Sequence, residues 1–219
     1  ISIAQIGTQV SIQSDNSSLV WEGSLDELHL APMAKLVAGN GGLFHVHSLS
    51  EPAILNLLFN IAPVIRTAHE PRLICPGHGK FWANSESVCK VTWGGHCLYH
   101  AYKEKCCARH PQALLKAFRN TQFEKNNSHR YSHIIANSSY IEDELIRAGM
   151  DQAQIRVLPY FAKSVAESEC ESNSSLRVLF IGRLSKTKGL HILLKAFQKV
   201  LKDVPRAKLD ILGSGIDEA

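Results

Sequence analysis

The run Phe180-Ile181-Gly182-Arg183-Leu184-Ser185-Lys186-Thr187-Lys188-Gly189-Leu190 carries the residue types that hold a diphosphate. An apolar strand ends in Gly182, a short basic loop follows, and the spacing predicts a helix that opens near Lys188 or Gly189. The first turn of a helix has unpaired N–H groups and about half a positive charge. Arg183 and Lys188 would add two full charges beside it, and glycines allow the backbone to approach a ligand closely. The same residues also suit a solvated basic turn ahead of a surface helix, and spacing alone does not choose between the two.

A second set of polar residues falls where apolar strands end. His47 closes the run Leu43-Phe44-His45-Val46-His47, His69 follows Pro63–Ala68, and Asn137 and Ser138 follow His133–Ala136. In open α/β sheets ligands bind beyond the carboxyl ends of the strands. Singly, each residue also reads as a polar cap on a strand, so the shared placement is the informative feature.

Between these two sets lies a segment rich in cysteine and histidine. Cys75, Cys89, Cys97, Cys106 and Cys107 are interspersed with His78, His96, His100 and His110. The segment reads as a long irregular insertion, and loops of that length are usually functional or disordered. A structural zinc site would staple it, but no C-x-x-C pair is present and the spacings fit no standard zinc module. Packing of reduced thiols and a disulfide remain open beside it. Trp82, Trp93, Tyr99 and Tyr102 are expected to form the small core of the insertion, although aromatic faces also stack on sugar rings. Cys170 stands alone further on.

These residues need a scaffold, and the periodicity supplies one. Helices are predicted over Glu51–Ile61, with Pro52 in the first turn, and over Pro111–Phe123, with Leu114, Leu115 and Phe118 on one stripe. A third covers Ser139–Ala148, with a capping box from Ser139 to Glu142 and Gly149 as its stop. Strands alternate with them and end at Ile155–Leu158. The alternation predicts a parallel sheet with crossover helices. Ala162–Ser175 is Ser- and Glu-rich, lacks periodicity and reads as a linker. Leu176–Ile181, the helical pattern Gly189–Leu201 and Ala207–Leu212 then form a new βαβ unit. Residues 1–161 are thus expected as one Rossmann-like domain with an insertion at about 70–110, and 176–219 as the opening of a second. A domain typically needs about 100–200 residues, and one βαβ unit cannot cover its sheet on both faces. The sequence is therefore expected to be a fragment, cut at both the strand-like Ile1–Ile6 and the helix opening at Gly215–Ala219.

Composition narrows the function classes. The chain has 219 residues, 45% of them hydrophobic and 20% charged, which is the ordinary balance of a globular α/β protein. Its 24 basic and 20 acidic residues leave a net charge of +4 with no basic block, so no nucleic-acid partner is expected. No apolar run reaches the roughly 20 residues needed to span a bilayer, and no secretory signal is visible. A cytoplasmic protein is expected, and peripheral association with the inner face of a membrane is compatible.

The quoted loop, with Leu-Leu-Lys-Ala-Phe and Leu-Asp-Ile-Leu-Gly-Ser-Gly after it, resembles the start of the donor domain of the family 4 retaining glycosyltransferases, the group 1 proteins. Ile-Ile-Ala-Asn-Ser-Ser-Tyr-Ile, Gly149 and Ile-Arg-Val-Leu-Pro resemble the end of their acceptor domain. His45-Val46-His47 and Thr67-Ala68-His69-Glu70 are similar to two of its strand ends, and the insertion to one found in some members. The resemblance covers the chain from about Leu43 onward. It implies a GT-B fold with a Rossmann-like acceptor domain and the first βαβ unit of a donor domain. It also implies transfer of a sugar from a nucleotide-diphosphate sugar, with retention, to a glycan or lipid-linked acceptor in polysaccharide or glycolipid assembly. By resemblance Gly182, Arg183, Lys188 and Gly189 hold the donor diphosphate and no metal or other cofactor is required. His69 is the catalytic-site residue at the cleft, and His47, Asn137 and Ser138 are acceptor-side candidates. The family's N-terminal Gly-rich loop and its paired late glutamates are absent here, and Tyr160-Phe161 stands where the family usually has Asn-Gly. The alternative is a non-catalytic binding or scaffold module of the same fold, and this fragment is not expected to be active alone.

Overall fold

The computed structural model describes residues 2–6, 9–13, 19–24, 27, 34, 39, 41–77, 79–108, 110–161 and 176–215. Its contacts divide the chain into two compact units, Ile1–Phe161 and Ala162–Ala219. The segment read as a linker, with Cys170, and the expected helix opening after Gly215 lie outside the described residues, as does His78.

The first unit begins with three strands, β1 (Ser2–Ile6), β2 (Gln9–Gln13) and β3 (Leu19–Ser24), paired antiparallel in that order. The sequence reading, which followed βα alternation, did not anticipate this sheet. Next come β4 (Phe44–Val46), α1 (Pro52–Ile61) and β5 (Val64–Ala68). The insertion holds a short hairpin, β6 (Phe81–Trp82) and β7 (Ser87–Val88), and a helix, α2 (His96–Lys103). It is folded where an irregular stretch was expected. Then follow α3 (Pro111–Asn126), β8 (Tyr131–Ala136), α4 (Ser139–Arg147) and β9 (Ile155–Val157).

Strands β4, β5, β8 and β9 form one parallel sheet in that order. This is the Rossmann-like α/β arrangement, with each carboxyl end on the same edge. The core lies between sheet and helices. Ile54, Leu55 and Leu58 of α1, Val64 and Ala68 of β5, Ile134 and Ala136 of β8, and Ile141 and Leu145 of α4 are all buried. Their burial at i, i+3 and i+4 spacing on the helices is what the apolar periodicity encodes.

Two local expectations need correction. In α3, Leu115 is 72% exposed, and the inward face is Leu114, Thr121 and Glu124. An apolar stripe misreads this helix because its buried face carries a charge. The guanidinium of Arg66 on β5 meets Glu124 at 3.1 Å, with both side chains 1% exposed. Tyr131 donates to the same carboxylate at 2.5 Å, and Arg66 also donates to the Leu49 carbonyl and to Ser50 Oγ. In α4 the N-cap is Ser138 rather than Ser139; its hydroxyl accepts from the Ile141 amide. A second buried pair ties the insertion to this helix. Lys80 Nζ lies 2.6 Å from Glu144, both 4% exposed, and also donates to the Val91 carbonyl at 2.8 Å.

The second unit pairs β10 (Arg177–Ile181) with β11 (Lys208–Leu212) in parallel, joined through α5 (Leu190–Asp203). None of the helix's residues is buried, and Leu179, Ile181 and Leu212 on the strands are exposed. No helix of the described residues is long and apolar enough to cross a membrane.

Candidate functional site

At the carboxyl edge of the first unit's sheet the strand-end residues meet. His47 lies one residue past β4, His69 one past β5, and Asn137 and Ser138 directly past β8. Because parallel strands end on one edge, residues 68 positions apart come into hydrogen-bond range: Asn137 Nδ2 donates to the His69 carbonyl at 3.0 Å. His47 Nδ1 and His69 Nε2 are 2.9 Å apart, and His69 Nδ1 is 2.6 Å from the hydroxyl of Tyr160. The rings stack in the same order, His47 on His69 at 5.1 Å and His69 on Tyr160 at 5.7 Å. His45, two residues back on β4, lies against His47 with the rings tilted by 38° and 4.3 Å apart, while its Nε2 bonds Thr67 Oγ1 at 2.7 Å. Partial desolvation, followed by the proximity of His45, His69 and Arg66, holds the largely exposed His47 imidazole below its usual range.

Two of the predicted residues have structural work here. Ser138 spends its hydroxyl on capping α4 and lies 3.4 Å from Asn137 Oδ1. Asn137 pins the end of β5. Tyr160 belongs to the cluster and was missed as a site residue. Its only signal in the sequence was negative, an aromatic pair where the resembled family has Asn-Gly. A shallow concavity beside the cluster is lined by His47, Arg66, Thr67, His69, Glu70 and Arg72 among others.

In the second unit the loops past β10 and β11 run side by side. Gly182 N donates to Leu212 O at 3.0 Å and Leu184 N to Ser214 O at 2.9 Å. The approach leaves no room for side chains. A Cβ on Gly213, whose φ is +152°, would lie 1.9 Å from the Gly182 carbonyl oxygen, and one on Gly215 would lie 2.1 Å from that of Leu184. These two glycines are therefore required, which explains the Leu-Gly-Ser-Gly run. The helix opens where the spacing placed it, with Gly189 as its N-cap. Lys188 closes a separate 3-10 turn, Lys186–Lys188, and Gly189, at φ +74°, bends the chain into α5. Arg183 and Lys188 are exposed, and among the described residues neither side chain has a hydrogen bond or ion pair. The result is a backbone wall, the amino end of a helix and two exposed cations at the carboxyl end of a parallel strand pair.

The insertion gathers its thiols. Cys75, Cys89, Cys97 and Cys106 line a cavity of about 20 Å³ together with Trp82, Trp93 and His100, room for about one water. Cys75, Cys89, Cys97, Cys106 and Cys107 are all free thiols. Burial pushes Cys75, Cys97 and Cys107 up, and burial with Cys107 alongside pushes Cys106 up to about 12. Trp82 stacks on His100 at 5.1 Å and Trp93 packs edge-on against Phe118 at 4.8 Å, so the two tryptophans build the local core, whereas Tyr99 and Tyr102, expected to join them, are exposed. Among the described residues no group of three or more His, Cys, Asp or Glu is placed to hold a metal ion.

Residues 166–219 match the model of the glycosyl transferases group 1 family. The matched segment contains the whole of the glycine-walled loop pair and less than half of the chain. No curated protein matches the sequence significantly. A crystal structure of a mutant of TarM from S. aureus, in complex with fondaparinux, alpha-GlcNAc-glycerol and UDP, is similar over 96% of this chain and 38% of its own, at 13% identity and a TM-score of 0.49. The chain thus spans less than two fifths of that protein's length, and so slight a likeness adds nothing to the site.

Proposed function

We propose that the chain is part of a glycosyltransferase that moves a sugar from a nucleotide-diphosphate donor to a glycan or lipid-linked acceptor. The observation that carries this reading is the loop pair past β10 and β11. It has side-chain-free backbone at Gly213 and Gly215 and two exposed cations, unpaired among the described residues, beside the start of α5, and it lies inside the segment that matches the group 1 model. Negative charge grows on a nucleoside diphosphate as its bond to the sugar breaks. Cations fixed where that charge develops stabilise the transition state more than the ground state. Arg183 and Lys188, with Gly182 and Gly189 giving the backbone close approach, are the residues that would do this, and they supply charge that a divalent ion supplies elsewhere. The histidine cluster of the first unit serves the acceptor side in this reading. Retention of configuration and a setting at the cytoplasmic face of a membrane go with it.

The test is calorimetric titration of the full chain with UDP, GDP and ADP. One of them should bind, and Arg183→Ala and Lys188→Ala should each weaken it by about 1.5–3 kcal/mol, the range for a hydrogen bond to a charged group. Undiminished binding in the double variant would remove the reading's main support.

A further inference from the structure

The hydrogen-bond chain at the sheet edge of the first unit has a direction, and the direction singles out one nitrogen. Both ring nitrogens of His69 are engaged, Nε2 with His47 and Nδ1 with Tyr160. A neutral imidazole has one proton, so His69 donates on one side and accepts on the other. A phenol, with a pKa of about 10, is a stronger acid than a neutral imidazole N–H, and an imidazole lone pair is the better acceptor. Tyr160 therefore donates into His69 Nδ1. The His69 proton then sits on Nε2 and is donated to His47 Nδ1. His47 is left with its proton on Nε2, which no described residue accepts, on an exposed side chain.

The neighbouring charges indicate what this proton meets. Arg66 is matched by Glu124 and Arg72 by Glu70. Each cation around the concavity is thus matched by a carboxylate, Arg72 and Glu70 as a partly exposed pair, so the site offers no unmatched charge to a ligand. A neutral donor set suits hydroxyl oxygens better than phosphate.

We infer that His47, through Nε2–H, is the substrate-facing imidazole of this site and donates to a hydroxyl oxygen of a sugar, while His69 and Tyr160 are positioning residues that fix its tautomer. The inference deepens the transferase reading and rests on it. It moves direct contact from His69, whose two nitrogens are occupied, to His47. The lowered pKa of His47 agrees, because it favours the neutral ring, which has the lone pair that accepts from His69.

The test uses the full chain labelled with ¹⁵N at histidine and long-range ¹H–¹⁵N spectra, with methyl hexopyranosides as the probe and UDP in parallel. Both His47 and His69 should be protonated at Nε2. Tyr160→Phe should move His69 Nδ1 to the position of a free lone pair and turn His47 into a mixture of tautomers. One of the hexosides should shift the His47 Nε2 signal saturably. His47→Phe should weaken that binding at least about tenfold, the worth of one hydrogen bond near 1.4 kcal/mol, and His47→Gln, which keeps an N–H donor, should restore most of it. Protonation of His47 at Nδ1 overturns the inference, as does a hexoside that shifts His69 alone, or none that shifts His47. Failure of UDP to bind while His47 answers a hexoside would sink the transferase reading and leave the substrate-facing role standing.

Discussion

Replacing Glu124 by Gln should destabilise the first unit strongly. Arg66 and Glu124 are each 1% exposed, and arginine cannot shed its charge to escape burial. With the carboxylate gone, the guanidinium keeps only the Leu49 carbonyl and Ser50. Removing one partner of such a pair costs about 3–5 kcal/mol, a large share of the roughly 5–15 kcal/mol that holds a domain folded. For a unit of this size that is a fall in Tm of about 6–20 °C. Amide exchange in β5 and β8, which reports this unit alone, should accelerate by about two to three and a half orders of magnitude. The double variant Arg66→Met, Glu124→Leu should recover most of the loss, since apolar replacement of a buried pair is often neutral. A single variant within 1 kcal/mol of wild type, or a double variant as weak as the single, would refute the reasoning.

Gly213→Ala forces a Cβ to within 1.9 Å of the Gly182 carbonyl. Calorimetry should find nucleoside-diphosphate binding abolished, while exchange in β5 and β8 stays unchanged. Lys80→Met leaves the buried Glu144 with Arg147 as its remaining charged partner and should loosen the insertion by about 1–3 kcal/mol, read as faster proteolytic nicking between Cys75 and Cys107; an unchanged nicking rate would show the pair to be idle. Cys106, held at about 12, should be alkylated by iodoacetamide in the native chain at least about a hundredfold more slowly than in urea, because only the thiolate reacts. Peptide mass spectrometry measures this, and equal rates would mean the thiol is not buried as described.

Much of the scaffold was legible because burial here follows simple periods. The predicted α1 and β5 differ from the observed elements by a residue at one end, and the placement of His47, His69 and Asn137 on one edge follows from parallel strands alone. The sequence misled where a buried face was polar. Leu115 looks like core and is not, because α3 turns Glu124 inward to meet an arginine 58 positions away, and no local pattern announces a partner at that distance. Tyr160 was hidden for the same reason, being 91 positions from the histidine it bonds. The two required glycines were visible as residues, yet the carbonyls that forbid a side chain there became apparent only in three dimensions.

The bond from Lys80 to Glu144 has a consequence for anyone trimming this protein. Cutting out the cysteine-bearing segment as though it were a dispensable loop would delete an ammonium and leave a buried carboxylate on α4 answered only by the half-exposed Arg147. A shortened version would have to change Glu144 to an apolar residue in the same step. A graft of the segment onto another scaffold would likewise need an acid waiting at the matching turn of helix.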